Sequence, residues 1–330
     1  MKEKTDIIFD EKFKDVAHDY ITYKRSLGLK ISIIEQKKLK SLLEFLFKEN
    51  PSNPYEFNED TVIRFCFQNT SVKPTTIAHK QTLAKQFALY LTEFKGINCY
   101  VFNGDLIKRE QDYYPHIYSI EEIYKIIKTI DNLEYTSASI KRNVPEKMST
   151  VIRLIYGCGL RINEAASLRL EDVNLKDGTI TLYETKNNRI RCVPISDTLK
   201  ESLINYDRQV IRDSANPYFF PQDDGYFSTE TIRRLFKKAV IEAGIDGSDS
   251  NGRIRVHCLR HTYCIHAIEK LINDGMDPYC TLPIISAYMG HSDLKSSEYY
   301  MRLTKHYFQD VLNYSNDDAE RLFPKVKYNG

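Results

Sequence analysis

The sequence predicts a mainly α-helical protein with a small antiparallel β-sheet, built as two domains. Three observations carry this. Apolar residues recur at spacings of three and four through most of the chain, the repeat of one helix face. Two-residue alternation is confined to the stretch between the Asp177-Gly178 turn and Ile195. Residues 97–117 lose periodicity and collect Asn98, Asn103, Gly104, Asp105 and Pro115, the residue types of turns and linkers. A length of 330 residues suits two domains at ~150 residues each.

In chain order, Phe13, Val16, Ala17, Tyr20 and Ile21 define one face of a first helix. Leu39, Leu42, Leu43 and Leu46 do the same for a second. Asn58, followed by Glu59 and Asp60, is a cap with acids in the first turn and opens a third. Thr75 is expected to cap a fourth, which runs through Ala84, Phe87, Ala88 and Leu91 and stops near Gly96. Four such helices pack most economically as a bundle over residues 1–105, with 106–117 as linker. From 118 to 330 the pattern is mixed α+β. Ser119 and Glu122 form a capping box ahead of Ile123, Ile126 and Ile127. A further helix follows Pro145 and reaches Tyr156. Ile180 with Leu182, and Val193 with Ile195, suggest two strands around a tip at Asn187-Asn188. Helices are expected over about 197–213, 228–243, 257–273 and 302–314, the last forming a C-terminal tail.

Composition narrows the function. With 42% hydrophobic and 28% charged residues the chain is that of a soluble globular protein. It has no run of ~20 apolar residues, and MKEKTDIIFDEKFKD lacks the apolar core of a secretion signal, so a cytoplasmic location and no membrane partner are expected. Seven cysteines without a CxxC are expected to be buried thiols. Divided at residue 116, the first part holds 18 basic and 16 acidic residues and the rest 29 of each, so any affinity for nucleic acid must come from local patches. No GxxxxGK[ST] loop is present, and Ile162 stands where a dinucleotide loop after Gly157-Cys158-Gly159 needs glycine. No cofactor is expected.

The chemistry lies in four boxes of the second half. Arg161 and Glu164 lie in GCGLRINEAASL, Lys186 in TKNNRIRCVPI, His257 and Arg260 in HCLRHTY, and His291 and Tyr300 in MGHSDLKSSEYY. Two arginines, a lysine and two histidines can neutralise one phosphate and deliver a proton to it, and a tyrosine supplies an oxygen nucleophile. Taken one at a time, each residue has a plainer reading. An arginine after a glycine, a lysine at a hairpin tip and one tyrosine of 23 are most often surface or core residues. His257 and His261 also stand at i and i+4 with Cys264 and His266 nearby, a spacing that could hold zinc. The metalloprotease form of that motif fails because Cys258 replaces its glutamate.

All four boxes, in this order over about 140 residues, resemble the tyrosine recombinase (phage integrase and Xer) family. The resemblance covers 119–304 strongly and the N-terminal bundle loosely. It implies a SAM-like core-binding domain over 1–105 and a catalytic domain over 118–330, which together clamp duplex DNA. It implies that Arg161 and Arg260 clamp the scissile phosphate. Lys186 is then the general acid, His257 donates to a nonbridging oxygen or helps manage the nucleophile's proton, His291 bonds the phosphate near the nucleophile, and Tyr300 is the nucleophile. Glu164 orients the site from behind. Tyr299, about 100° away on a helix, is the neighbour from which Tyr300 is separated by its nine-residue spacing from His291. Thr185 and Asn187 replace glycines of the family pattern, and INDGMDPYCTLPIISAYMGH is longer than the usual spacer. Lys80, Arg189, Arg191, Arg233, Arg234 and Lys237 are candidate DNA contacts, with a solvated surface as the alternative. The implied partners are double-stranded DNA sites, further copies of the chain in a tetramer through a Holliday junction, and an accessory DNA-bending or directionality protein. The implied location is the nucleoid. A noncatalytic DNA-binding protein of the same fold and a type IB topoisomerase are the rival functions.

Overall fold

A computed structural model describes residues 6–29, 31–68, 73–104, 106, 115–184, 189–213, 215–246 and 254–290. The chain divides into two compact units, Met1–Asp112 and Tyr113–Gly330.

The first unit is built on α1 (Lys14–Ser26), α2 (Ile33–Glu49), α3 (Glu59–Cys66) and α4 (Pro74–Lys95). Its core is the set of faces read from periodicity: Phe13, Ala17, Tyr20 and Ile21 with Leu39, Leu42, Leu43, Leu46, Phe87 and Leu91, all buried. The Asn58 side chain accepts from the Thr61 N–H at 3.0 Å, as a cap should. Thr75 is not the cap of α4. That helix opens at Pro74 behind Lys73 and makes no side-chain cap bond. Proline at the first helical position has no N–H to leave unpaired and arrives with its φ already set. Gly96, at φ 65°, closes the helix.

The aperiodic stretch is also structured at both described ends. Cys99 and Phe102 are buried in the bundle core, and Gln81 binds both the Gly104 carbonyl and the Leu106 N–H. At the other end Tyr118 is fully buried in the second unit, its N–H bonded to Thr262 Oγ1.

The second unit runs α5 (Ile120–Asp131), α6 (Ser137–Lys141), α7 (Val144–Cys158) and α8 (Ile162–Ala166), then β1 (Val173–Asn174), β2 (Thr179–Glu184) and β3 (Arg189–Pro194). It continues through α9 (Asp197–Gln209), β4 (Pro221–Gln222), β5 (Gly225–Tyr226), α10 (Thr229–Glu242), α11 (Val256–Asn273) and α12 (Pro278–Met289). Buried α7 packs against α5, α9 and α11 and is the axis of this core. Ser119 and Glu122 make the expected reciprocal cap on α5.

Strands β1, β2 and β3 form an antiparallel sheet, with Ile180 opposite Val193 and Leu182 opposite Arg191. The expected β2–β3 pair is present; β1 and the β4–β5 hairpin are additions, since two-residue strands are too short to display alternation. Helix α12 is also an addition. Pro283 inside it reads as a breaker in sequence. Cys192 and Cys280 depart from the expectation of buried thiols: both are exposed, and the other five are buried. The expected tail helix 302–314 lies outside the described residues. No helix among the described residues is long and apolar enough to cross a membrane.

Candidate active site

The site is assembled where α7 ends. Gly159 caps that helix at φ 59°, a conformation that L side chains rarely adopt. A Cβ there would also stand 2.5 Å from Tyr263 Cδ1 and 2.9 Å from Met289 Sδ. Glycine is thus required both by conformation and by space. The turn buries Leu160 and leaves Arg161 as the residue just before α8.

Glu164, in the first turn of α8, is the centre of the polar cluster. Its Oε2 accepts from the Arg161 N–H at 2.9 Å, and its Oε1 accepts from Arg161 Nη1 at 2.6 Å. Arg191, reaching in from β3, donates Nη2 to Oε2 at 2.8 Å. Arg260 Nη1 lies 3.9 Å from Oε2. Burial works to raise the Glu164 pKa, but the Arg161 N–H and the charges of Arg191 and Arg161 outweigh it and hold the carboxyl below its usual value.

The arginines differ in setting. The Arg161 side chain is 41% exposed, and its Nη2 also reaches the Gly290 carbonyl at 3.4 Å. Arg260 is 2% exposed. It donates Nη1 to the Gly159 carbonyl at 2.6 Å and Nη2 to the Met289 carbonyl at 2.7 Å. Those carbonyls end α7 and α12, where helices carry partial negative charge, so a buried guanidinium is satisfied and its plane is fixed.

His257 sits in the first turn of α11, three residues before Arg260, with its ring reachable by solvent. Crowding by surrounding protein, then the charges of Arg260 and Arg161, lower its pKa from 6.5, so the ring is neutral at neutral pH. His261 packs edge-on against it at 4.6 Å between centroids. His266 Nδ1 instead lies 3.0 Å from the Tyr156 hydroxyl. Among the described residues no group of three or more His, Cys, Asp or Glu side chains is arranged to hold a metal ion.

The structure therefore brings Arg161, Glu164, His257 and Arg260 together. Lys186, His291 and Tyr300 lie outside the described residues, as does the side chain of Arg189. Arg191 departs from the expected DNA-facing surface: it points inward, to Glu164. Lys80 is occupied elsewhere. Its Nζ donates to the Phe65 carbonyl at 2.8 Å, 4.8 Å from the Phe65 ring centroid, and ties α4 to the last turn of α3. Arg233, Arg234 and Lys237 are exposed on α10.

Sequence reasoning misses two features. Gly159 is read there only as a letter of the GCGLRINEAASL box and of a dinucleotide loop that Ile162 excludes, not as the residue whose conformation the site needs. The signal for Arg191 is its phase, two residues before buried Val193 on the same strand face. Three guanidiniums meet one carboxylate here, beside a neutral imidazole. Such a cluster can hold a phosphoryl group, stabilise charge growing on it and exchange a proton.

The Phage integrase family matches residues 119–306. The putative integrase/recombinase y4rB of Sinorhizobium fredii is 24% identical over 297 residues, which is 88% of this chain and 92% of that protein. Two solved structures share the fold. The XerH site-specific recombinase in a post-cleavage complex with palindromic difH substrate aligns with TM-score 0.60 and 17% identity, over 83% of this chain and 76% of that one. The Tn1549 transposon integrase in complex with a circular intermediate DNA aligns with TM-score 0.61 and 15% identity, over 86% of this chain and 94% of that one.

Proposed function

The chain belongs to the phage integrase family of tyrosine recombinases, and on that premise we propose a site-specific DNA recombinase that cuts and rejoins strands through a 3′-phosphotyrosine. The observation that carries the proposal is the Glu164-centred cluster of Arg161, Arg191 and Arg260 beside neutral His257, inside the region that matches the family.

In this mechanism Arg161 and Arg260 bind the nonbridging oxygens of the scissile phosphate. The buried carbonyl contacts of Arg260 fix its orientation before DNA arrives, so little reorganisation is needed as charge develops. The Tyr300 oxygen attacks phosphorus, the bond to the 5′-oxygen breaks, and a 3′-phosphotyrosine forms. Lys186 gives a proton to the departing 5′-oxygen. The tyrosine proton passes to His257, which can accept it because its ring is neutral, and His291 bonds the phosphate beside the nucleophile. Attack by a free 5′-hydroxyl of the partner duplex reverses these steps and releases the tyrosine. The bond energy is kept in the phosphotyrosine, so no ATP is spent.

On the same reading, residues 1–105 serve as the core-binding domain, 106–117 as the linker and 118–330 as the catalytic domain. Four copies exchange strands through a Holliday junction, with an accessory DNA-bending or directionality protein where the site requires one. A gene on a mobile element and a cytoplasmic, nucleoid-associated protein fit this chemistry.

The test uses a library of genomic fragments incubated with the protein in EDTA and then denatured. Covalently held fragments are recovered and sequenced. The proposal expects fragments sharing one site, lost in Tyr300→Phe and kept in Tyr299→Phe. Binding without a covalent product would indicate a noncatalytic DNA-binding protein. Relaxation of supercoiled DNA that lacks the site would indicate a topoisomerase.

A further inference from the structure

Strand β3 places Arg191 where its alternation calls for an apolar residue. Val193 lies two residues on, and cross-strand Leu182 and its neighbour Ile180 are buried on the same face. On the opposite face Tyr183, Ile190 and Cys192 are exposed. The Arg191 side chain is 11% exposed, and Nη2 meets Glu164 Oε2 at 2.8 Å. An inward-facing arginine on a sheet is costly unless paired, so its partner defines its role.

That partner already serves Arg161 through two bonds and stands 3.9 Å from Arg260. One carboxylate is thus shared by three guanidiniums. With Arg191 absent, the cluster loses one positive charge, and the Glu164 carboxylate bears on Arg161 and Arg260. We propose that Arg191 is a positioning residue that engages Glu164 from the sheet, so that Glu164 orients Arg161 without cancelling the charge that Arg161 and Arg260 offer to a phosphate. This rests on the recombinase function above. It assigns Arg191 no contact with DNA.

The test compares Arg191→Met, Glu164→Gln and the double variant. Each is assayed in single-turnover adduct formation on the duplex recovered from the fragment library, together with DNA affinity against salt. Arg191→Met should slow adduct formation on the order of tenfold or more, with the slope of affinity against salt unchanged. The double variant loses one cation and one anion together, so the cluster keeps the parent's net charge, and it should react faster than Arg191→Met alone. A slope smaller by about 0.9, the share of one neutralised phosphate, would overturn the proposal, because Arg191 would then touch the backbone. So would a double variant as slow as, or slower than, Arg191→Met, the result for a residue that only supports the fold. If Arg191→Met does not fold, Arg191→Lys keeps the charge without the planar fork. It should retain adduct formation within about fivefold of the parent, and a loss matching that of Glu164→Ala would overturn the proposal. A parent chain that forms no adduct at all would instead remove the recombinase function itself.

Discussion

Gly159 is the residue on which the cluster's geometry turns, because the chain there must reverse, bind Arg260 and admit Tyr263 and Met289 within one residue. Gly159→Ala combines a left-handed φ with a steric collision and should destabilise the protein by at least about 2 kcal/mol, read by thermal or urea unfolding. Glu164 yields a pH-dependent prediction. Its carboxyl is held below its ordinary value of 4.5, so the folded state binds this proton less readily than the unfolded chain. The stability it contributes is complete above 4.5 and is lost as pH falls through the lower folded value. Glu164→Gln should therefore unfold more easily than the parent at neutral pH, with the difference closing in acid. His257 is also held below its ordinary value of 6.5. Adduct formation should stay level down to that pH and decline only below it, and His257→Ala should remove that decline.

At the scale of elements, Lys80 shows how a cation on a helix face can be read two ways. Its ammonium is bound to the Phe65 carbonyl, so Lys80→Met should cost about 1–2 kcal/mol of stability while leaving the salt dependence of DNA binding unchanged. Sequence periodicity cannot see this, since the partner is a backbone atom on another helix. The same limit governs what is legible elsewhere. Faces such as Leu39, Leu42, Leu43 and Leu46 announce themselves because burial repeats with the helix. The caps at Asn58 and Ser119 are legible because their partners lie three residues away. The start of α4 is misplaced by sequence because proline needs no capping side chain there. Arg161, Glu164, His257 and Arg260 are found by motif. Their meeting depends on distant contacts, such as that of Arg260 with the Gly159 carbonyl 101 residues away, which no local pattern encodes.

For the whole molecule, a net charge of +2 means that DNA affinity must reside in patches. Arg233, Arg234 and Lys237, exposed on α10, form one candidate. Changing all three to alanine should weaken binding across sequences and lower the slope of log affinity against log salt by about 0.9 for each phosphate no longer neutralised. The central claim is that Arg161 and Arg260 present one phosphate to Tyr300. Mass spectrometry of the covalent DNA–protein adduct formed in EDTA tests it most directly. The account predicts a single nucleotide-bearing peptide modified at Tyr300, with the product depleted in Arg161→Ala and in Arg260→Ala. A nucleotide carried by Tyr299 or any other residue, or a Tyr300 adduct formed at the parent rate without either arginine, would contradict it.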